Sequence, residues 1–259
     1  MGNTMNDEEL KARFKTIAER LLPHVGMLLL LPHRNAKPED VLNNGTASFI
    51  DTGCERLLVT CSHVIDCYQK IGNANPDAVL AVTGNSGTQP VIVSDAEVIS
   101  NGGKQLDLAT MRLPDPDRIT WGGKSYFKAE VWPPVRAQKG QVAVLAGFPG
   151  MHRDASSRGL EVRATPICDF VTSVSERNIY LVDEDLARVA VKHNPELSDL
   201  ASLGGMSGSA VYVVDEDRQV PLLAGFMYEA GEGTHASIFI AHADSIRADG
   251  TLDHGFMPW

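Results

Sequence analysis

From Val25 onward, short runs of apolar and β-branched residues alternate with turns rich in Gly, Pro, Asn and Asp. Many short runs at such spacing predict the strands of barrels or sandwiches rather than the regular strand–helix alternation of a βαβ fold. The predicted strands are Val25–Leu31, Thr46–Asp51, Arg56–Cys61, Ala78–Thr83, Val91–Ile99, Leu108–Leu113, Ser125–Val131, Gln141–Ala146, Glu161–Ser173, Ile179–Val182, Arg188–Val191, Ala210–Val214, Leu222–Met227 and Ser237–Ile240.

The N-terminus follows a helical period instead. Over residues 7–21 the apolar positions lie on one face, acidic residues occupy the first turn, and Pro23 ends the run. The apolar positions are Leu10, Phe14, Ile17, Ala18 and Leu21. We expect an amphipathic helix that either packs on the body of the same chain or docks a regulatory partner protein.

Prolines and glycines between residues 114 and 123 form the clearest internal boundary, because they stop strands on both sides. They divide the β-rich part into halves of similar strand count. The expected organisation is therefore a helical extension over 1–24, a first β unit over 25–120 and a second over 121–259.

Composition narrows the class of protein. The 259 residues are 43% hydrophobic and 22% charged, which is typical of a soluble globular protein. A net charge of −10 argues against nonspecific binding to nucleic acid or to anionic membranes. The longest purely apolar run, Met27–Leu31, is too short to span a bilayer, and the N-terminus has no secretion pattern. We expect a cytoplasmic protein without a membrane partner.

The cysteines agree with a reducing compartment. None of them has the paired spacing of a metal site, so the sequence predicts free and partly buried thiols. They are Cys54, Cys61, Cys67 and Cys168.

Three segments carry polar side chains of the types that take part in catalysis. His63 follows a predicted strand, Asp107 opens one, and Ser207 lies in a glycine-rich turn, Gly204–Tyr212, just before another. Each alone has an ordinary explanation, namely a capped histidine, a turn aspartate and a Gly-Ser loop. Together they match acyl-transfer chemistry, in which a serine needs a base and the base needs an acceptor that fixes its tautomer.

The surrounding motifs resemble those of the chymotrypsin/trypsin family of serine peptidases, including its intracellular and bacterial members. Thr60–Val64 is similar to the family's Thr-Ala-Ala-His-Cys, and Asp107–Met111 to its Asp-Ile-Ala-Leu-Leu. Gly205–Ala210 is similar to Gly-Asp-Ser-Gly-Gly-Pro. The resemblance covers about residues 25–250 and leaves the N-terminal helix outside it.

The resemblance implies an all-β fold of two antiparallel six-stranded β-barrels with the active site in the crevice between them. The first barrel would supply His63 and Asp107, and the second Ser207 with the backbone N–H groups of Gly205 and Ser207 as the oxyanion hole. No metal or organic cofactor is implied.

Several positions depart from the family pattern. Met206 stands where digestive members carry an aspartate that pairs with a freshly cut N-terminus, so we expect no activation by N-terminal cleavage. Val64 replaces the disulfide cysteine beside the histidine. Ser209 and Ala210 replace Gly and Pro, so the turn is expected to differ slightly.

Substrate preference is less specified. Ala201 occupies the position of the aspartate in trypsin-type members, which argues against a strong preference for Arg or Lys. An apolar wall strand beside the serine would pair its backbone with an extended substrate. Its residues are Phe226, Met227 and Tyr228.

The predicted function is a trypsin-like serine endopeptidase that acts on a protein or peptide through an acyl-enzyme. The long segment Asp183–Gly204 and the N-terminal helix suggest regulation by a partner or by loop ordering. The alternative is a catalytically inactive, protease-like domain used for binding or scaffolding. An α/β-hydrolase is disfavoured, because its motif needs glycine at the place of Ser209 and the chain order Ser, Asp, His.

Overall fold

The computed structural model describes residues 16–17, 19–36, 40–83, 90–149, 153–156, 159–162, 164–182, 203–215, 218, 220–230 and 237–253. The predicted strand Arg188–Val191, position 201 and most of the predicted N-terminal helix lie outside the described residues.

The first sheet is built from the N-terminal part of the chain. Its strands are β1 Val25–Leu31, β2 Asn43–Asp51, β3 Arg56–Thr60, β4 Val79–Val82, β5 Val91–Ile92, β6 Glu97–Asn101, β7 Ala109–Arg112 and β8 Phe127–Lys128. The order is β5-β4-β1-β2-β3-β7-β6 with antiparallel neighbours, and β8 pairs in parallel with β2. β2 lies at the centre of this order, and residues 45–50 of β2 and 57–60 of β3 are buried.

The second sheet is built from the C-terminal part. After β9 Val142–Gly147, a separate hairpin joins β10 Arg153–Ser156 to β11 Gly159–Val162. The remaining strands are β12 Thr165–Phe170, β13 Ser173–Val174, β14 Asn178–Val182, β15 Ala210–Asp215, β16 Val220–Ala230 and β17 Ser237–His242. The order is β12-β9-β15-β16-β17-β14-β13, antiparallel throughout.

The expected all-β class is confirmed: two curled antiparallel sheets account for most of the described chain, and helices are few. Two-residue strands at the margins, such as β5, β8 and β13, bring the strand counts above six. The predicted strand Val91–Ile99 is divided into β5 and β6, because the Ser94 hydroxyl turns back to bond Leu80 between them.

Three α-helices lie between strands in the described part of the chain. They are α1 Ser62–Ala74, α2 Gly103–Leu106 and α3 Arg118–Trp121. α1 follows β3 directly and packs the buried Ile65 into the first sheet. Among the described residues, no helix is long and apolar enough to cross a membrane.

The described end of the N-terminal helix packs on the body of the chain. Ile17 and Leu21 are buried in a hydrophobic cluster that also contains Ile50 of β2 and Tyr212 of β15. This cluster therefore joins the helix end to both sheets. Phe127 meets Tyr212 edge-on at 4.7 Å within the same region. For this part of the helix, the contacts favour packing on its own domain over exposure of the apolar face.

Each sheet also has a core of its own. Phe49, Leu58 and Ile65 belong to the core of the first sheet. Leu145 and Met206 belong to the core of the second. The hydrophobic cluster at the end of the N-terminal helix contains residues of both sheets and packs them against each other. The predicted catalytic residues lie along this boundary between the sheets, hereafter the seam.

Candidate active site

His63 and Asp107 form a two-point contact. His63 is the second residue of α1; its backbone N–H donates to Asp107 Oδ1 over 3.0 Å, and its Nδ1 lies 2.8 Å from Asp107 Oδ2. An ionised carboxylate only accepts hydrogen bonds, so Nδ1 carries the proton and Nε2 keeps its lone pair in the neutral ring. The contact thus sets both the tautomer and the orientation of the imidazole.

The backbone at Asp107 directs its carboxylate to this position. Asp107 caps the C-terminal end of α2 in the left-handed region, with φ of 47°, and its N–H donates to the Gly103 carbonyl over 2.9 Å. Aspartate tolerates this conformation better than most residues. One residue on, the Leu108 carbonyl accepts a 2.7 Å hydrogen bond from the buried Ser62 hydroxyl. The start of α1 and the start of the segment after α2 are therefore joined by two neighbouring contacts, Ser62 to Leu108 and His63 to Asp107.

The electrostatics favour a basic imidazole. The hydrogen bond to Asp107 raises the pKa of His63 above its ordinary value, and the charges of Asp107 and Asp66 act in the same direction. Partial burial opposes them. The His63 side chain is 53% exposed and that of Asp107 20%, so the histidine is reachable from solvent while its partner is shielded.

The serine turn is a tight chain reversal between Leu203 and Ser209. The Met206 N–H donates to the Leu203 carbonyl over 3.0 Å, and the Ser209 N–H to the Met206 carbonyl over 2.9 Å. Gly205 and Gly208 both have a φ of 99°, which L side chains rarely adopt. The glycines that flank Ser207 are therefore required by the backbone path.

Buried hydroxyls of β2 hold this turn against the first sheet. Thr46 Oγ1 donates to the Gly205 carbonyl and Ser48 Oγ to the Gly208 carbonyl, both over 2.8 Å. Ser48 Oγ also accepts the Ala210 N–H over 2.8 Å, and the Thr46 N–H donates to the Ser207 carbonyl over 3.0 Å. The seam therefore places the serine turn against the strand that leads towards β3 and His63.

The Ser207 hydroxyl itself donates to the Tyr228 carbonyl, over 3.4 Å. Within the described part of the chain, no hydrogen bond joins it to His63. The backbone N–H groups of Gly205 and Ser207, predicted as oxyanion donors, meet no acceptor among the described residues. The structure thus pairs two of the three predicted catalytic side chains and directs the third to β16.

The predicted wall strand has one partly exposed side chain. Phe226 and Met227 are buried, and both backbone groups of Met227 bond within the chain, its N–H to the Ser209 carbonyl and its carbonyl to the Gly208 N–H. Tyr228 is half-buried beside Asp107, and burial is the main cause that raises its pKa to about 12. Of the three, Tyr228 therefore has the side chain available to a substrate.

A cavity of about 120 Å³ adjoins these residues. Its walls include Gln105 and Leu106, which directly precede Asp107, and Tyr228. Arg136 and Asp244 also line it and form an ion pair of 2.6 Å. The cavity thus combines apolar area with charged side chains, and it reaches Tyr228 and the two residues that precede Asp107.

Sequence reasoning missed the supporting residues Thr46, Ser48 and Cys61. The signal for the first two is their alternation with Ala47 and Phe49 in a strand that is buried on both faces, since buried hydroxyls need partners. Cys61, the fully buried N-cap of α1, donates its thiol to the Met227 carbonyl over 3.4 Å. No local sequence pattern predicts that contact, because Met227 lies 166 residues further along the chain.

Solved structures share this architecture. The thermostable serine protease AL20 from an extremophilic microorganism matches over 85% of this chain and 91% of its own, with a TM-score of 0.50 and 13% identity. Deg5 matches over 94% of this chain and 93% of its own, with a TM-score of 0.54 and 12% identity. The fold is that of the chymotrypsin-like peptidases. No protein-family model and no curated protein matches the sequence.

Proposed function

We propose that this chain is a serine endopeptidase that cleaves a protein or peptide substrate through an acyl-enzyme. The two-point contact between His63 and Asp107 carries the proposal, because it gives a surface-accessible imidazole the tautomer that a general base requires. The serine turn, held in the same seam by Thr46 and Ser48, supplies the nucleophile.

The first half of the reaction forms an ester. The Ser207 hydroxyl rotates from the Tyr228 carbonyl towards His63 Nε2, a motion about single bonds. Its oxygen attacks the scissile carbonyl carbon while Nε2 takes the hydroxyl proton, and Asp107 stabilises the imidazolium. The N–H groups of Gly205 and Ser207 stabilise the oxyanion. Nε2 then gives the proton to the leaving amine as the C–N bond breaks.

The second half returns the enzyme to its starting state. Water attacks the ester carbon while His63 takes one of its protons, and the substrate acid leaves as the proton returns to Ser207. Met206, which replaces the family's aspartate, is buried in the core of the second sheet and offers no carboxylate to a new N-terminus. We infer that the uncut chain is already competent.

Labelling with a fluorophosphonate tests the proposal. The native protein should be modified at Ser207, the variant Ser207→Ala should stay unlabelled, and Ser173→Ala, at an exposed serine of β13, should label like the native protein. Intact mass measurement gives the stoichiometry, and circular dichroism checks the fold. A correctly folded native protein that never reacts would instead support the binding or scaffold function.

We further infer that the peptidase works in the cytoplasm under control by a partner or by loop ordering. Support for the compartment comes from the cysteines, since all four are free thiols, as is usual in a reducing environment. Incubation of the purified protein with casein is the test. Slow turnover that a cell extract accelerates is expected, and rapid degradation by the isolated protein would contradict tight regulation.

A further inference from the structure

The thiol of Cys61 lies beside the His63–Asp107 pair. One ligand atom of each of the three side chains lies within 4.8 Å of the other two. Thiolate, imidazole and carboxylate are the protein ligands that Zn²⁺ binds, usually with water in the fourth position when the protein supplies three. The proposed peptidase chemistry uses His63 and Asp107 but makes no use of the thiol.

We propose that Cys61, His63 and Asp107 form a binding site for Zn²⁺ or another thiophilic divalent cation, and that an ion bound there blocks catalysis. Metal binding stands on the geometry of the three side chains alone. The inhibition rests on the peptidase function proposed above.

Charge balance favours the complex. A thiolate and a carboxylate carry two negative charges, which one divalent cation neutralises, whereas either anion alone is costly in a buried position. Binding breaks the Cys61 S–H bond and releases that proton to solvent. The imidazole stays neutral, with its proton on the ring nitrogen that does not bind the ion. Burial and the Asp107 charge raise the pKa of the thiol, and a bound cation offsets both effects.

The surroundings permit the required movement. Bonds of roughly 2.0–2.3 Å to a common ion draw the three ligand atoms together. The thiol then leaves the Met227 carbonyl, which keeps its 2.8 Å hydrogen bond from the Gly208 N–H. The exposed half of the His63 side chain gives the ion a path from solvent.

Inhibition follows from the same contacts. Coordination occupies a lone pair of the imidazole and pulls the ring or the carboxylate out of the His63–Asp107 hydrogen bond. The imidazole then no longer accepts the Ser207 proton in the correct geometry. The site is thus a switch in which metal and substrate compete for one histidine.

Cobalt absorption tests metal binding without any need for activity. The test protein is Ser207→Ala with Cys54→Ala and Cys67→Ala, which removes one exposed and one partly buried thiol. One equivalent of Co²⁺ should produce a thiolate-to-cobalt charge-transfer band. Adding Cys61→Ala should abolish the band, and adding Cys168→Ala, the control at the remaining, partly buried thiol, should leave it unchanged. A band that persists without Cys61, or none in the parent protein, overturns the site.

X-ray absorption of the Zn²⁺ complex gives a second measure that needs no variant at position 61. The expected result is one sulfur ligand at about 2.3 Å with nitrogen and oxygen ligands around it. A zinc ion with only nitrogen and oxygen ligands overturns the proposal, even if every Cys61 variant fails to fold.

The inhibition is tested on protein with the native serine. Zn²⁺ should slow fluorophosphonate labelling of Ser207 at least tenfold relative to chelator-treated protein, and Cys61→Ser should reduce that ratio at least fivefold. Equal sensitivity of the two proteins overturns the inhibitory role. Chelator-treated protein that never reacts overturns the peptidase proposal instead, while the cobalt spectrum still decides the metal site.

Discussion

At the scale of single residues, the Asp107 carboxylate accepts two hydrogen bonds from His63 at the same time. One oxygen accepts the His63 backbone N–H and the other accepts the ring N–H. This arrangement requires a side chain with two acceptor oxygens, which an ionised carboxylate provides and an amide does not. The left-handed backbone of Asp107, at the end of α2, is a local strain that the capping bond to Gly103 helps to hold.

We predict that Asp107→Asn lowers the turnover number by about 10⁴, the loss known for this substitution in the triad template. The amide presents a donor to one of the two N–H groups, so the ring loses its tautomer while the fold remains. Esterase kinetics measure the loss. Asp66→Asn, at an exposed carboxylate on the next turn of α1, is the control and should cost less than threefold. A less than tenfold loss in Asp107→Asn would contradict the assigned role.

Activity should rise with pH through the pKa of His63. The neutral ring is the base, and the Asp107 hydrogen bond holds its pKa above the ordinary 6.5, so the acid limb of the profile lies above that value. Asp66→Asn removes one of the charges that raise the pKa and should move the limb to lower pH. The contribution of the His63–Asp107 pair to folding stability depends on pH in the opposite direction. It is present below pH 6.5 and is lost as the pH rises through the pKa of His63 in the folded protein. A limb at or below 6.5 would argue against His63 as the base.

At the scale of elements, the serine turn depends on glycines for two separate reasons. Gly205 and Gly208 need a positive φ, and Gly208 also lies so close to β2 and β3 that an added Cβ would overlap the Thr46 carbonyl and Thr60 Oγ1. The cost of the positive φ and the cost of steric overlap can be separated by comparing Gly208 with a glycine that has a positive φ but no close neighbours. Gly53, in the turn between β2 and β3, has a φ of 86° and open space around its Cα.

Gly208→Ala should therefore be much worse than Gly53→Ala. Both substitutions force an L side chain into a positive φ, which costs about 1–2 kcal/mol, but only Gly208→Ala must also push the serine turn away from β2 and β3. We expect it to lower the free energy of unfolding by roughly 3 kcal/mol or more and to abolish labelling of Ser207. Urea unfolding of the two variants makes the comparison, and equal losses would show that steric overlap at Gly208 is unimportant.

At the scale of the whole molecule, the seam between the sheets is both apolar and hydrogen-bonded. Ile50 and Leu57 of the first sheet share a buried cluster with Val144 and Phe226 of the second. At one end of this cluster, Ser48 accepts one backbone N–H and donates to one carbonyl of the segment after Ser207. The buried Ser48 hydroxyl thus makes two of the hydrogen bonds that connect the two sheets at the candidate site.

Ser48→Ala should cost roughly 2–4 kcal/mol of unfolding free energy, because it leaves two buried backbone groups without partners at about 1–3 kcal/mol each. It should also slow the labelling of Ser207, since the turn loses its anchor. Ser173→Ala, on the exposed strand β13, should change neither quantity by more than about 0.5 kcal/mol or its rate equivalent. Normal stability with slow labelling would mean that Ser48 acts on the turn alone.

Local patterns were enough for much of the fold. The apolar run Val25–Leu31 is a strand with the predicted bounds, and the two-sheet class follows from the density of such runs. The predicted strand Val91–Ile99 was divided because the Ser94 hydroxyl accepts a hydrogen bond from the Leu80 N–H and donates one to the Leu80 carbonyl, contacts that the local pattern does not contain. α1 continued to Ala74 because tertiary packing of one apolar face supports a helix that propensity alone barely favours.

The sequence by itself determined that a histidine, an aspartate and a glycine-flanked serine occur in an order suited to acyl transfer within a β-rich chain. Only the tertiary structure decided that His63 and Asp107 are in contact, that the Ser207 hydroxyl bonds to Tyr228, and that the thiol of Cys61 lies beside the pair. Periodicity reports which face of a strand is buried, a property of neighbours in sequence. Contact across the seam depends on how two sheets curl and pack, which is settled by long-range burial and hydrogen bonding.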